Sequence, residues 1–202
     1  MKVGVLASGA GTNLQAILDR LHGGGDVEVV AVGSNSIDAP ALERARARGI
    51  ATEAFVLEAH ADRGARDRAM GEWLQRHGVR LVVLAGYMQL LAPGFLARFP
   101  DRVINVHPAL LPAFPGIRAI EQALDYGVKV FGVTVHFVDE GVDTGPIILQ
   151  RAVDLPAATE PDEVRAALRP IEHDLLCEAV RLIARDAVRI DPGNPRRVLI
   201  AS

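Results

Sequence analysis

Residues 79–86 read VRLVVLAG, an apolar run with no polar alternation through its centre. A strand with one wet face alternates apolar and polar side chains, because successive Cβ atoms point to opposite faces. A strand covered on both faces has no such need, and such strands belong to parallel sheets whose crossovers are helices. The same signature recurs at KVGVLAS (2–8) and VEVVAVGS (27–34), and IATEAF (50–55) reads as a further short strand. Helical patterns separate these runs over about 13–22, over 39–49 with Gly49 as the stop, and over 62–77 with Gly78 closing. Strand and helix in alternation predict an α/β fold on a mostly parallel sheet.

The second half changes character. RVINVH (102–107) reads as a strand and IRAIEQALDYG (117–127) as a helix. Residues 128–155 read as two strands joined by a turn-rich loop at 139–146, an antiparallel pair that makes the sheet mixed. A helix over 160–185 carries an apolar stripe at Val164, Ala167, Leu168, Ile171, Leu175, Ala179 and Leu182. No repeat, low-complexity segment or linker interrupts the chain, so one domain is expected over 1–202.

Bulk properties narrow the function classes. Net charge is −3 and the basic residues are spread along helices, as in LERARARG (42–49), so no basic field calls for nucleic acid. Cys177 is the only cysteine, which rules out an intrachain disulfide and suits a reducing compartment. Its place in an apolar-periodic helix reads as a buried structural thiol. No apolar run approaches the roughly 18 residues of a membrane helix, and Met1-Lys2 leads straight into a strand. Neither a membrane span nor a signal peptide is expected, and the protein reads as cytoplasmic.

SGAGTNLQ (8–15) joins the first strand to the first helix. Glycines allow a tight turn and close backbone approach, and the N–H groups at a helix start favour an anion such as phosphate. A dinucleotide fingerprint would need a third glycine where Leu14 stands, and an acid near Gly33-Ser34-Asn35. No Gly-Lys-Ser/Thr follows, which excludes a triphosphate loop. Thr12 and Asn13 add short polar side chains expected at the helix cap. A single phosphate on a mononucleotide-sized ligand fits best.

INVHPALLP (104–112) places Asn105 and His107 two apart at the end of a strand, on one face. An imidazole can move a proton near neutrality and an amide N–H can hold a developing oxyanion. Together they suit attack on a carbonyl. A carboxylate is needed to set the ring's tautomer, and DEGVDTGP (139–146) offers Asp139, Glu140 and Asp143. His136 reads as a strand residue that could border the site, while His22, His60 and His77 read as structural. Metal-ligand spacings and the G-x-S-x-G elbow are absent, so no metal is expected and a serine hydrolase is not. The chemistry alone reaches acyl-type transfer.

VLASGAGTNLQAI (5–17), VVLAGYMQLL (82–91), INVHPALLPAFPG (104–116), GVTVHFVDEGVDTGPIILQ (132–150) and IEH (171–173), all in order, resemble the folate-dependent formyltransferases from end to end. The resemblance implies a Rossmann-like formyltransferase fold, a mixed, mostly parallel sheet with helices on both faces. It implies that Asn105, His107 and Asp143 are catalytic, and that Asp143 raises the pKa of His107. Gly11, Thr12 and Asn13 would hold the phosphate of glycinamide ribonucleotide, with Glu172 at its glycinamide end. Arg63, the Met88-Gln89-Leu90-Leu91 turn, and Asp139, Glu140, Gly141 and Val142 would hold the folate. The co-substrate would be 10-formyltetrahydrofolate, with no permanently bound cofactor, small-molecule partners only, and a homodimer left open. Two positions depart from the pattern: Ile120 where many members have histidine, and Ala113 where some have lysine. A formyltetrahydrofolate hydrolase is the rival, although known members carry an extra N-terminal domain and strand one here begins at residue 2. A tRNA formyltransferase would need a further RNA-binding domain. A non-catalytic nucleotide-binding module would have no need of the Asn105, His107 and Asp143 set.

Overall fold

The computed structural model describes residues 1–201, which divide into two compact units between Asn105 and Val106. The first unit runs β1 (Lys2–Leu6), α1 (Thr12–Arg20), β2 (Glu28–Ser34), α2 (Pro40–Arg46), β3 (Ala51–Ala54), α3 (Arg63–Arg76), β4 (Leu81–Leu84) and α4 (Pro93–Leu96). It closes within β5 (Val103–His107), whose last two residues belong to the second unit. Every pairing here is parallel: β1 with β2 and β4, β2 with β3, and β4 with β5. Val3, Val5 and Leu6 of β1 and all of Leu81, Val82 and Val83 are sealed from solvent, odd and even positions alike. Burial on both faces is what the unalternating runs foretold.

The second unit contains α5 (Ala119–Tyr126), β6 (Val130–Phe137), β7 (Ile147–Asp154), α6 (Pro161–Ala184), β8 (Val188–Asp191) and β9 (Asn194–Ile200). β6 and β7 pair antiparallel, as expected, with a register shift between Val135 and His136. The main sheet is therefore mixed and mostly parallel, seven strands in the order β3-β2-β1-β4-β5-β6-β7, while β8 and β9 form a separate ribbon. Helix α6 packs on β6 and β7. Val164, Leu168, Leu175 and Ala179 of the expected stripe are buried, joined by Leu176, Val180, Ile183 and the thiol of Cys177. Ile120, one of the two departures, is a core residue of α5, and Ala113 is exposed. Among the described residues, no helix is long and apolar enough to cross a membrane.

Thr134 on β6 braces the segment after β5. Its hydroxyl donates to the Ala109 carbonyl at 2.7 Å and accepts the Leu111 N–H at 3.1 Å. Gln150 on β7 adds bonds from its amide to the Leu111 carbonyl and to Thr134 Oγ1. The apolar turn behind His107 is thus tied to the hairpin at buried atoms.

In the first unit, an ion pair sits under the 88–92 turn. Arg66 is 1% exposed and Asp67 0%, and Arg66 Nε and Nη2 reach Asp67 Oδ1 at 2.8 and 2.7 Å. Asp67 Oδ2 accepts the Ala92 N–H at 2.7 Å, and Arg66 Nη1 reaches Gln89 Oε1 at 3.3 Å. Removing one partner of a buried pair strands the other charge. Asp67→Ala is expected to lower unfolding stability by about 3–5 kcal/mol. Urea denaturation of the variant checks this, and a midpoint equal to the parent's would contradict it.

Candidate active site

The turn after β1 is set by Gly11. Its φ of +70° is left-handed, and a Cβ there would lie 2.8 Å from Ala41 Cβ and 2.9 Å from Ala41 Cα, a backbone atom. Only glycine fits. The sequence put Thr12 and Asn13 at the cap of α1. The cap is instead Gly11, with no side-chain hydrogen bond, and Thr12 and Asn13 stand in the first turn, where helical N–H groups lack intrahelical acceptors. Arg44 on α2 braces the turn, donating from Nε to the Ala10 carbonyl at 2.8 Å and from Nη1 to Gln15 Oε1 at 2.9 Å.

A cavity of about 340 Å³ lies against residues 8–13, Ala85, Gly86 and Met88. It opens where the strand order reverses between β1 and β4, the place where open α/β sheets bind ligands. Ser8 joins its two walls: its hydroxyl accepts the Met88 N–H at 2.8 Å and donates to Asn35 Oδ1 at 2.5 Å.

Of the expected folate residues in the first unit, Arg63 is exposed at the start of α3, beside the capping carboxylate of Asp62. Met88 and Leu90 are 66% and 56% exposed, unusually open for large apolar side chains in a turn braced from beneath. Gln89 is also exposed and Leu91 half-buried. In the second unit Asp139, Glu140, Gly141 and Val142 form the exposed crest of the β6–β7 loop. Asp139 Oδ1 shapes that crest by accepting the Gly141 N–H at 3.1 Å and the Thr144 hydroxyl at 2.6 Å. Glu172 is half-buried on α6.

Asn105 ends the first unit and precedes His107 by two positions on β5, so strand geometry gives both side chains one face. His107 and Asp143 do come together. Asp143 Oδ2 lies 3.4 Å from His107 Nδ1 and accepts the Gly116 N–H at 2.7 Å. Asp143 Oδ1 lies 3.5 Å from Nε2 of His136. Each ring gives its other nitrogen's proton to a backbone carbonyl, His107 Nε2 to Phe114 and His136 Nδ1 to Phe137, both at 2.8 Å. A carbonyl can only accept, so these bonds fix which nitrogen of each ring faces the carboxylate.

Sequence reading expected Asp143 to raise the pKa of His107. It does push upward, as does the Phe114 carbonyl. Burial pushes harder in the other direction, helped by the neighbouring His136, and His107 lies below the ordinary histidine value. The contribution of Asp143 has the expected sign, and burial, on which the sequence gave no expectation, sets the net direction. For Asp143, burial alone would raise the pKa, but the hydrogen bonds from His136 and Gly116 and the two rings together outweigh it, and the carboxyl is held below its usual range. His136 was noted in the sequence only as a residue that could border the site. Gly116 gave no signal beyond the PG turn in which it sits.

A model of the formyl transferase family matches residues 1–180. The chain belongs to the formyl transferase family. It is 41% identical over 173 residues to the phosphoribosylglycinamide formyltransferase of Bacillus subtilis, covering 85% of this chain and 89% of that one. The enzyme of the same name from Escherichia coli is also 41% identical, covering 86% and 82%. Among solved structures, glycinamide ribonucleotide transformylase 1 from Symbiobacterium toebii superposes with a TM-score of 0.95 at 47% identity, covering 100% of this chain and 94% of that one. A formyltetrahydrofolate deformylase from Pseudomonas syringae superposes at 0.90 with 27% identity, and this chain covers 66% of it.

The titration of this formyltransferase family member should show the sign of the His107 balance. Nuclear magnetic resonance of the His107 ring is expected to give a midpoint below that of an exposed histidine. Asp143→Asn removes the upward push and should move the midpoint lower still. A midpoint that rises in the variant would contradict this electrostatic account.

Proposed function

We propose that this protein transfers the formyl group of 10-formyltetrahydrofolate to the amine of glycinamide ribonucleotide in purine biosynthesis. The observation that carries the reading is the cavity of about 340 Å³ at the start of α1, lined by Gly11, Thr12 and Asn13. Transfer to water needs no phosphate site; transfer to a ribonucleotide does. The Bacillus subtilis and Escherichia coli relatives, named phosphoribosylglycinamide formyltransferases at 41% identity, support the same choice over the more distant deformylase.

In this reading the ribonucleotide amine attacks the formyl carbon, forming the new C–N bond and an oxyanion. Asn105 and His107 donate hydrogen bonds to that oxygen, which carries charge only as the reaction proceeds. A water linked to ionised Asp143 carries the proton from the attacking amine to the folate nitrogen, whose bond to the formyl carbon breaks. The low pKa of His107 leaves a neutral ring whose single N–H, on Nε2, is held by the Phe114 carbonyl, so in this reading that N–H turns from Phe114 to the oxyanion as the charge develops.

Backbone N–H groups of Gly11 to Asn13 hold the phosphate, and Glu172 holds the glycinamide end. Arg63, Met88, Gln89, Leu90, Leu91 and the 139–142 crest hold the folate, which leaves as tetrahydrofolate. The reading takes both units as halves of one formyltransferase domain acting in the cytoplasm on small molecules. It needs no metal and no permanently bound cofactor, and a homodimer is compatible with it.

One assay separates transfer from hydrolysis. With 10-formyltetrahydrofolate alone, the protein is expected to release no formate above background. Adding glycinamide ribonucleotide should yield one tetrahydrofolate per formylated ribonucleotide. Formate release that is indifferent to the ribonucleotide would establish a hydrolase instead.

A further inference from the structure

The C-terminal ribbon lies outside the 1–180 stretch matched to the family, and its sequence carries no motif that points to a role. It is hydrogen-bonded within itself. Val188 to Ile190 pair antiparallel with Ile200 to Val198. Asp191 Oδ1 accepts the Gly193 N–H at 2.9 Å, and Asp191 Oδ2 takes two bonds from the Arg197 guanidinium. Asn194 Oδ1 accepts the Arg196 N–H at 3.0 Å. From this stapled turn Arg196 extends Nη1 to the carbonyl oxygen of Thr144 at 2.5 Å.

Thr144 is the residue after Asp143, and its carbonyl belongs to the Thr144–Gly145 peptide, one peptide beyond the backbone that aims the carboxylate. That backbone is unusual. Asp143 has a φ of +52°, a left-handed conformation uncommon outside glycine. On the far side of Thr144, Gly145 is pressed against β6, where a Cβ would lie 1.8 Å from the Phe137 carbonyl oxygen. Thr144 itself donates its hydroxyl to Asp139. The peptide between Asp143 and Gly145 is therefore held by the hairpin from within and by Arg196 from outside.

We propose that Arg196 is a positioning residue for formyl transfer: the C-terminal ribbon straps the Thr144 carbonyl and so fixes Asp143 against His107, His136 and the Gly116 N–H. A strained conformation persists only when its surroundings over-determine it, and the strap adds to these surroundings a contact from the C-terminal ribbon. The proposal rests on the transfer reading above, in which the Asp143 carboxylate serves the proton path.

The test is Arg196→Ala with Arg196→Lys beside it, both assayed for transfer and both followed by amide hydrogen exchange. Loss of one hydrogen bond that orders a reacting group should lower kcat about tenfold, with the Michaelis constant for the ribonucleotide and the melting temperature unchanged. Arg196→Lys keeps a donor for the carbonyl and should recover most of the loss. In Arg196→Ala the Gly116 amide, whose acceptor is Asp143, should exchange faster, while amides of α6 keep the parent's rates. Parent-like turnover with parent-like Gly116 exchange would overturn the strap while leaving the transfer reading intact. Faster exchange in α6 as well, with a lowered melting temperature, would reduce Arg196 to a general stabiliser and also overturn it. A parent protein that releases formate without the ribonucleotide would defeat the transfer reading, whereas the Gly116 exchange result would still decide the strap.

Discussion

The carboxylate of Asp143 is the group on which the second unit's candidate chemistry depends. A half-buried acid would ordinarily drift toward its neutral form. Three neighbours hold it ionised: the Gly116 N–H, the His107 ring and the His136 ring. Each neighbour comes from a different piece of chain, namely the turn before α5, the end of β5 and the end of β6. The rings in turn are aimed by the Phe114 and Phe137 carbonyls. Disturbing any of these contacts alters the direction and the protonation of the others, since charge and hydrogen bonding are shared through one carboxylate.

The first unit solves a simpler problem. Its parallel strands leave a crevice where the order reverses at β1 and β4, and the fold fills the crevice's rim with backbone N–H groups. Close packing of Gly11 on Ala41 makes the turn tight, and Arg44 and Ser8 hold it from both sides. The buried Arg66–Asp67 pair fixes the neighbouring 88–92 turn from below, which leaves Met88 and Leu90 facing outward on a rigid base.

Much of this was legible in the sequence because the responsible forces are local. Unalternating runs such as VRLVVLAG declare burial on both faces, and the strands fall within those runs. Gly11 was legible because a strand-to-helix turn ending in glycine leaves few conformations. The Asn105–His107 spacing was legible because strand period is two. What escaped was set by packing between distant segments. The contact of His136 with Asp143 follows a register shift between Val135 and His136 that no alternation pattern encodes. The depressed pKa of His107 reflects the depth of its burial, a quantity that spacing does not supply. The cap of α1 moved from Thr12 and Asn13 to Gly11 because contact with Ala41 on α2 decides the turn. Arg196 was invisible for the same reason, as its acceptor lies far upstream in the chain.

The central claim is that Asn105 and His107 act together on one developing charge. Steady-state kinetics of Asn105→Ala, His107→Ala and the double variant, with dissociation constants for both substrates, test it most directly. Each single variant should lose about 100- to 1,000-fold in kcat with little change in binding, as loss of an oxyanion donor does. The double variant should lose far less than the product of the two, because groups serving one charge are not additive. Losses that multiply in full, or single variants within a few-fold of the parent, would contradict the account.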